Sequence, residues 1–375
     1  MSIADQIYNS ESADVRITLD ADVVENIVIP KEKSVTIDFN GFKISNLSET
    51  DTYTITNYGK LILNGEGTIY NDNAKKGCLV NLEGGIVEIN GINFELSERT
   101  KSTAWYYLVN MGTKMTINDA IVNGTSPNAS TVRNGYYTEE NTTNNNPILT
   151  INGGRFYGAL IPVKNDSFGI LYINRGDFES PNECVLNWNH AEINGGTFVT
   201  TNNYTIFSGG YTDQGCDGQI VINGGNFSGT KGIIKDLTPE YDPESTTASI
   251  GVAGGTFNMA VPSEYWKPGF EIVQDENGNF IARKTPEWTF PEGGAQGAVR
   301  GFMRLIIHND TVEYEAGGFL PPRGFKVKCI FGAMAKGGID AYFNRETGKI
   351  QLFRSGTEVT GVIEDCTIVL IGNQE

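Results

Sequence analysis

Aromatic rings and carboxylates gather in three loop-like stretches of this sequence. Tyr136, Tyr137, Glu139 and Glu140 fall within 125–147, Tyr204, Tyr211, Asp213 and Asp217 within 202–218, and Glu240, Asp242 and Glu244 within 238–247. Rings that stack on a sugar, beside oxygens that accept from its hydroxyls, are the chemistry of glycan recognition. Trp105-Tyr106-Tyr107 adds another aromatic group; neighbours on a strand face opposite sides, so at least one of these rings is expected outside. The candidate glycan-binding residues are Trp105, Tyr107, Tyr136, Tyr137, Tyr211 and Asp213.

Catalysis asks for more. A glycosidase needs two carboxyl groups about 5–5.5 Å or 6.5–9.5 Å apart, one with its pKa raised by burial. On the repeat set out below, Glu139 and Asp213 lie three coils apart, about 14 Å by strand spacing. Asp213 and Glu240 or Asp242 fall on neighbouring coils and could approach, but acidic surface loops are ordinarily just solvated, so no catalytic pair is named. A calcium-dependent lyase would need converging oxygen ligands beside a base. Arg155 and Asp177 sit on consecutive coils and read instead as a surface ion pair worth about 0 to 1 kcal/mol. His190 and His308 belong to different domains and form neither a triad nor a metal pair. No cofactor or metal is expected.

The elements that would carry these loops are written in a repeat. An apolar residue, Asn, Gly, Gly, any residue and Phe recur as Ile151-Asn152-Gly153-Gly154-Arg155-Phe156, Ile193-Asn194-Gly195-Gly196-Thr197-Phe198 and Ile222-Asn223-Gly224-Gly225-Asn226-Phe227. Related copies stand at 63–65, 89–94, 117–122, 173–178 and 252–257, with Phe39-Asn40-Gly41-Phe42 as an early relative. Steps between copies run from 20 to 34 residues, which suits variable loops on a constant strand unit and not a fixed helical repeat. Asn and Gly take the left-handed region readily, so each copy predicts a strand, a sharp bend and a second strand. Stacked coils would align one aliphatic and one aromatic column inside and hydrogen-bond the Asn amides along the stack.

Composition agrees. The chain of 375 residues holds 45 Gly, only 19% charged residues and no long stretch of helical periodicity, an all-β profile. A net charge of −17 repels phosphate backbones and anionic lipid, so nucleic acid is disfavoured as a partner. Five widely spaced cysteines without a CxxC pair suggest reduced thiols, and no window reads as a membrane span or signal peptide, so neither membrane insertion nor secretion by that route is expected.

The expected fold is all-β: a right-handed parallel β-helix (solenoid) followed by a small C-terminal β-sandwich-like domain. Residues 1–45 form the N-terminal cap and first coil, 46–284 the β-helix, 285–294 a linker, and 295–375 the C-terminal domain, for attachment or trimerisation.

The Ile-Asn-Gly-Gly-Thr-Phe repeats and Val35-Thr36-Ile37-Asp38-Phe39-Asn40-Gly41-Phe42 resemble the pectin-lyase-like β-helix superfamily, especially its copies in phage tailspikes and virion fibres, over 15–284. The tail around 341–353 looks like small β-modules of phage structural proteins. The resemblance implies a homotrimeric appendage on a virion surface, a head fibre, capsid decoration or tail fibre, assembled in the host bacterial cytoplasm and released by lysis. Its partners would be other virion proteins of capsid or tail and host cell-surface polysaccharide. A polysaccharide-degrading lyase or glycoside hydrolase of the same fold is the alternative.

Overall fold

A computed structural model describes residues 2–46, 51–72, 75–98, 104–124, 129–136, 145–158, 160–210, 215–242, 249–284, 298–299, 302–321 and 325–374. The chain divides into two units, Met1–Arg283 and Lys284–Glu375.

The first unit is an all-β solenoid built on two long sheets, one of 19 strands and one of nine. Long strands such as Lys60–Asn71, Ile86–Leu96 and Lys114–Gly124 run through the Asn-Gly bend, and shorter pairs such as His190–Ile193 and Thr197–Thr200 flank it. Alternate residues point inward, as in Lys60–Asn71, where Leu61, Leu63, Ile69 and Asn71 are buried.

Successive coils pair in parallel and in register. Ile37, Leu63, Ile89, Ile117, Ile151, Ile173, Ile193, Ile222 and Val252 stand above one another, all buried. The second column is Phe94, Val122, Phe156, Phe178, Phe198, Phe227 and Phe257. From Phe156 onward its rings stack with centroids 5.1, 4.8, 4.7 and 5.2 Å apart. Each such side chain contributes roughly 1.5–3 kcal/mol by burial, with roughly 0.5–1.5 more per favourable ring pair. The expected amide ladder is present: Asn90, Asn118, Asn152, Asn174, Asn194 and Asn223 each donate from Nδ2 to Oδ1 of the preceding Asn at 2.7–3.0 Å.

Both ends of the coil are covered. Helix α1 (Ile3–Tyr8) drops Ile3 and Ile7 into the core, and Glu25 accepts from the Ile3 and Ala4 amides at 2.8 Å each, placing a carboxylate at the helix N-terminus. At the other end Phe280–Lys284 lies antiparallel on Thr256–Phe257, ending the parallel order. The turn before it is pinned by Asp275 Oδ1, which accepts from the amides of Asn277 and Asn279.

The second unit holds two antiparallel sheets. Gly361–Gln374 pairs with both Phe302–Tyr314 and Phe325–Met334 in a four-stranded sheet, and Asp340–Asn344, Lys349–Arg354 and Thr357–Glu358 form the other. Tyr314, Phe319, Ile350, Leu352, Ile368 and Leu370 belong to one apolar cluster drawn from both sheets. The linker expected at 285–294 lies outside the described residues.

Candidate functional site

The nine-stranded sheet carries the long loops. Its short strands bury their ends and turn the middle residue outward, so register stacks Val28, Thr56, Val80, Val109, Arg133, Lys164, Leu186, Phe207 and Lys235 in one outer column. Four of these, Val80, Val109, Arg133 and Leu186, are buried although they face away from the core. Chain segments beside the column cover them.

Val80 and Val109 pack with Tyr53, Leu82, Tyr106 and Met111, Leu186 packs with Ile161, Trp188 and Leu237, and a further set of contacts gathers at one turn, residues 166–169. The Tyr136 amide donates to the Ser167 carbonyl, the Phe168 amide donates to the Gly215 carbonyl at 2.8 Å, and Ser167 Oγ meets Cys216 Sγ at 2.8 Å. Phe168 has φ +64°, a costly conformation for a bulky residue, and its ring packs on Gly215, where a Cβ would come within 2.6 Å of it. The Tyr136 hydroxyl donates to the Met111 carbonyl, and Asn145 Nδ2 donates to the Met111 and Gly112 carbonyls at 3.2 and 3.0 Å. The residues at the feet of both long loops thus converge on the same stretch of the outer face.

Beneath them is a charged cluster. Arg133 Nε and Lys164 Nζ contact the two oxygens of Asp166 at 2.9 and 3.0 Å, and the Arg133 guanidinium lies 5.4 Å from the Tyr106 ring. Arg133 and Asp166 are buried, so each charge depends on its partner; removing one member would leave the other desolvated and unpaired. Both oxygens of Asp166 are engaged.

Further along the column Trp188 meets Tyr241 edge-on at 4.9 Å, Lys235 lies over Phe207 at 5.9 Å, and Lys235 Nζ pairs with Glu240 at 2.5 Å. That hydrogen bond raises the Lys235 pKa. Glu183, nearly buried, has its pKa raised by desolvation, opposed by backbone and Asn203 hydrogen bonds. Asp217 Oδ1 is buried without a hydrogen-bond partner among the described residues.

The sequence candidates separate on this surface. Trp105 is 63% exposed. Tyr107 points into the core and donates its hydroxyl to the Asn123 carbonyl, and Tyr136 is buried in the loop foot. A ring with no open face cannot stack on a sugar, so the structure places these two in packing roles. Tyr137, Tyr211 and Asp213 lie outside the described residues, as do Glu139, Glu140 and Glu244. Arg155 and Asp177 are side by side in register and both exposed, but they form no ion pair.

Two features escaped the sequence reading. One is the Arg133–Asp166–Lys164 cluster, split over 34 residues with no local spacing to mark it. The other is a second, inner ladder in which Asn57, Asn81, Asn110, Asn134, Asn165 and Asn187 hand a hydrogen bond from coil to coil at 2.7–2.8 Å, ending on Ser208 Oγ at 3.0 Å. All six are fully buried. The available signal was an Asn closing each three-to-five-residue strand, recurring at separations of 24, 29, 24, 31 and 22.

Cys78, Cys184 and Cys366 are buried thiols whose pKa values burial pushes up, that of Cys366 to about 11, which keeps them unreactive. Among the described residues no group of three or more His, Cys, Asp or Glu could hold a metal, and no helix is long and apolar enough to cross a membrane. No protein-family model matches this chain, and neither a curated protein nor a solved structure is significantly similar to it.

Proposed function

We propose that this chain is a structural protein of a bacteriophage virion, a surface appendage of the head-fibre, capsid-decoration or tail-fibre kind that contacts host glycans. In this reading the solenoid is a right-handed parallel β-helix of pectin-lyase-like type, and the C-terminal unit is a small β-sandwich for attachment or trimerisation. The observation that carries the reading is a solenoid covered at both ends whose long loops are rooted together on one outer face. Such a scaffold holds loops at fixed spacing without offering open sheet edges to other copies. Exposed Trp105 and Tyr241 supply rings for sugar.

The test is direct. Antibodies raised against the purified chain should label intact phage particles at capsid or tail, and light scattering should return three times the chain mass. Labelling of lysate debris without particles would sink the virion assignment.

A polysaccharide-degrading enzyme is the second reading, favoured by one observation: burial raises the pKa of the Glu183 carboxyl, the direction a general acid needs. New reducing ends or unsaturated uronate released by the parent chain and not by Glu183→Gln would establish it in place of the first.

A further inference from the structure

The repeat that builds the solenoid is also a chemical liability. Asparagine is thermolabile, and the backbone amide that follows it attacks most readily when it belongs to glycine, which has no side chain in the way. The glycine nitrogen adds to the asparagine Cγ; an N–Cγ bond forms, Cγ–Nδ2 breaks, and the glycine amide proton leaves on ammonia. Water then adds to either carbonyl of the cyclic imide, and the ring nitrogen takes back a proton as that C–N bond breaks, leaving aspartate or isoaspartate. This chain carries nine Asn-Gly pairs.

Eight of them lie on the coils, and five are held at both ends of the side-chain amide. Asn64, Asn90, Asn152 and Asn194 each donate and accept in the corner ladder, and Asn134 does so in the inner one. Ring closure there would pull the amide from both partners and turn the backbone out of its coil. Asn40 is held more loosely, donating to the Leu19 carbonyl at 3.4 Å, but the attacking Gly41 amide is bound to the Glu66 carbonyl at 2.6 Å. After Asn123, Gly124 sits in register with Gly158 inside a parallel pair. Asn223 is the last rung: it donates to Asn194 and Glu192, and Ala253 stands where the next amide would be.

Asn277-Gly278 is different. It lies off the coils, in the turn between Phe270–Gln274 and Phe280–Lys284, with both residues exposed. The Asn277 side chain makes no hydrogen bond among the described residues, and the Gly278 amide donates to the Asp275 carbonyl of its own turn at 3.1 Å. Gly278 has φ +84°, a conformation that selects glycine, so the turn itself demands the labile pair. Exposed turns of this kind open locally at little free-energy cost.

We infer that Asn277 is a site of spontaneous covalent modification, converting to aspartate and isoaspartate, and that the asparagine ladders protect the repeat's own Asn-Gly pairs from the same reaction. Isoaspartate routes the main chain through Cγ and lengthens the turn by a methylene. The amides of residues 277 and 279 then no longer both reach Asp275 Oδ1, and the register that sets Phe280 opposite Phe257 is disturbed. A new carboxylate also joins Asp275 and Glu276. The strand that ends the coil therefore loosens with the age of the molecule.

The full-length chain should be aged in mildly alkaline buffer made with oxygen-18 water, which labels each carboxyl formed during the incubation, then digested and mapped by mass spectrometry. Label at Asn277 should appear about tenfold faster or more than at Asn64, Asn90, Asn134, Asn152 or Asn194, and an isoaspartate-specific methyltransferase should modify the Asn277 peptide. In urea all six should label at similar rates. Equal rates in the native chain would overturn the site, and ladder asparagines that stay slow in urea would owe their survival to flanking sequence and overturn the protection. Asn223→Ala makes Asn194 the last rung and should raise its labelling severalfold; no rise would also overturn the protection. Ageing should accelerate amide exchange in Phe280–Lys284 of the parent and not of Asn277→Gln, whose longer side chain closes a ring far more slowly. Label at Asn277 without that acceleration would overturn the loosening of the strand.

Discussion

The two asparagine ladders use one side chain at one spacing and face different risks. At the glycine bend the amides run along the outside corner, where Asn194 and Asn223 are within reach of water and the first Asn, Asn64, donates to a carboxylate, Asp38, at 3.1 Å. In the inner ladder every Asn is fully buried, and most donate to backbone carbonyls as well; Asn134 serves Asn165, Pro147 and Ile170. The corner ladder can exchange a lost partner for water. The inner one cannot, so the same substitution should cost very different amounts in the two places.

The sharpest break is a charge. Asn134→Asp places an acceptor-only carboxylate among amides with no cation to pair, and should cost about 3–5 kcal/mol at pH 7 in urea unfolding. The loss should shrink on acidification as the buried carboxyl protonates. Asn194→Asp on the corner should stay under about 1 kcal/mol, as Asp38 already ends that ladder. Equal losses at the two sites would dissolve the distinction.

Truncation comes next. Asn134→Ala takes the ladder acceptor from the Asn110 amide and the donor from Asn165 Oδ1 and should cost about 2–3 kcal/mol, against about 0.5–1.5 kcal/mol for Asn194→Ala. Amide exchange in Ser130–Asn134 should accelerate in the first variant, with Thr197–Thr200 unchanged.

The smallest expected effect concerns a buried acid near the same sheet. Desolvation raises the Glu183 pKa in the fold, so its stabilising form is the protonated one, present below the unfolded glutamate pKa and lost as pH rises through the folded value. Glu183→Gln should therefore raise the unfolding midpoint at pH 7 and leave it unchanged at pH 4. A lower midpoint at pH 7 would mean that the carboxylate has a partner it needs.

The corner ladder was legible because its asparagines sit in a contiguous motif whose bend is chemically forced, and the aliphatic and aromatic columns followed from that motif. The inner ladder closes strands whose other residues vary, so its asparagines read as ordinary turn residues. Two of the candidate rings, Tyr107 and Tyr136, are buried for a related reason. Alternation sorts side chains into two faces, but it does not say that the outer face is roofed; in Tyr106–Asn110 and Ser130–Asn134 every residue is buried, whichever way it points. Over Tyr106 and Val109 the cover is Tyr53, Leu82 and Met111, while Tyr136, just past Ser130–Asn134, meets Ser167, whose turn in turn meets Gly215 and Cys216; no local pattern announces these contacts.

The small N-terminal helix has a consequence in time as well as in space. Each coil pairs only with its neighbours, so a coil can form as soon as the one before it exists. Ile3, Ile7 and the Glu25 clamp are synthesised before the coils stacked beyond them, which makes helix α1 a seed on which those coils are laid down in order of synthesis. The antiparallel strand Phe280–Lys284 is then the stop codon of the architecture, the point at which templated growth is brought to an end.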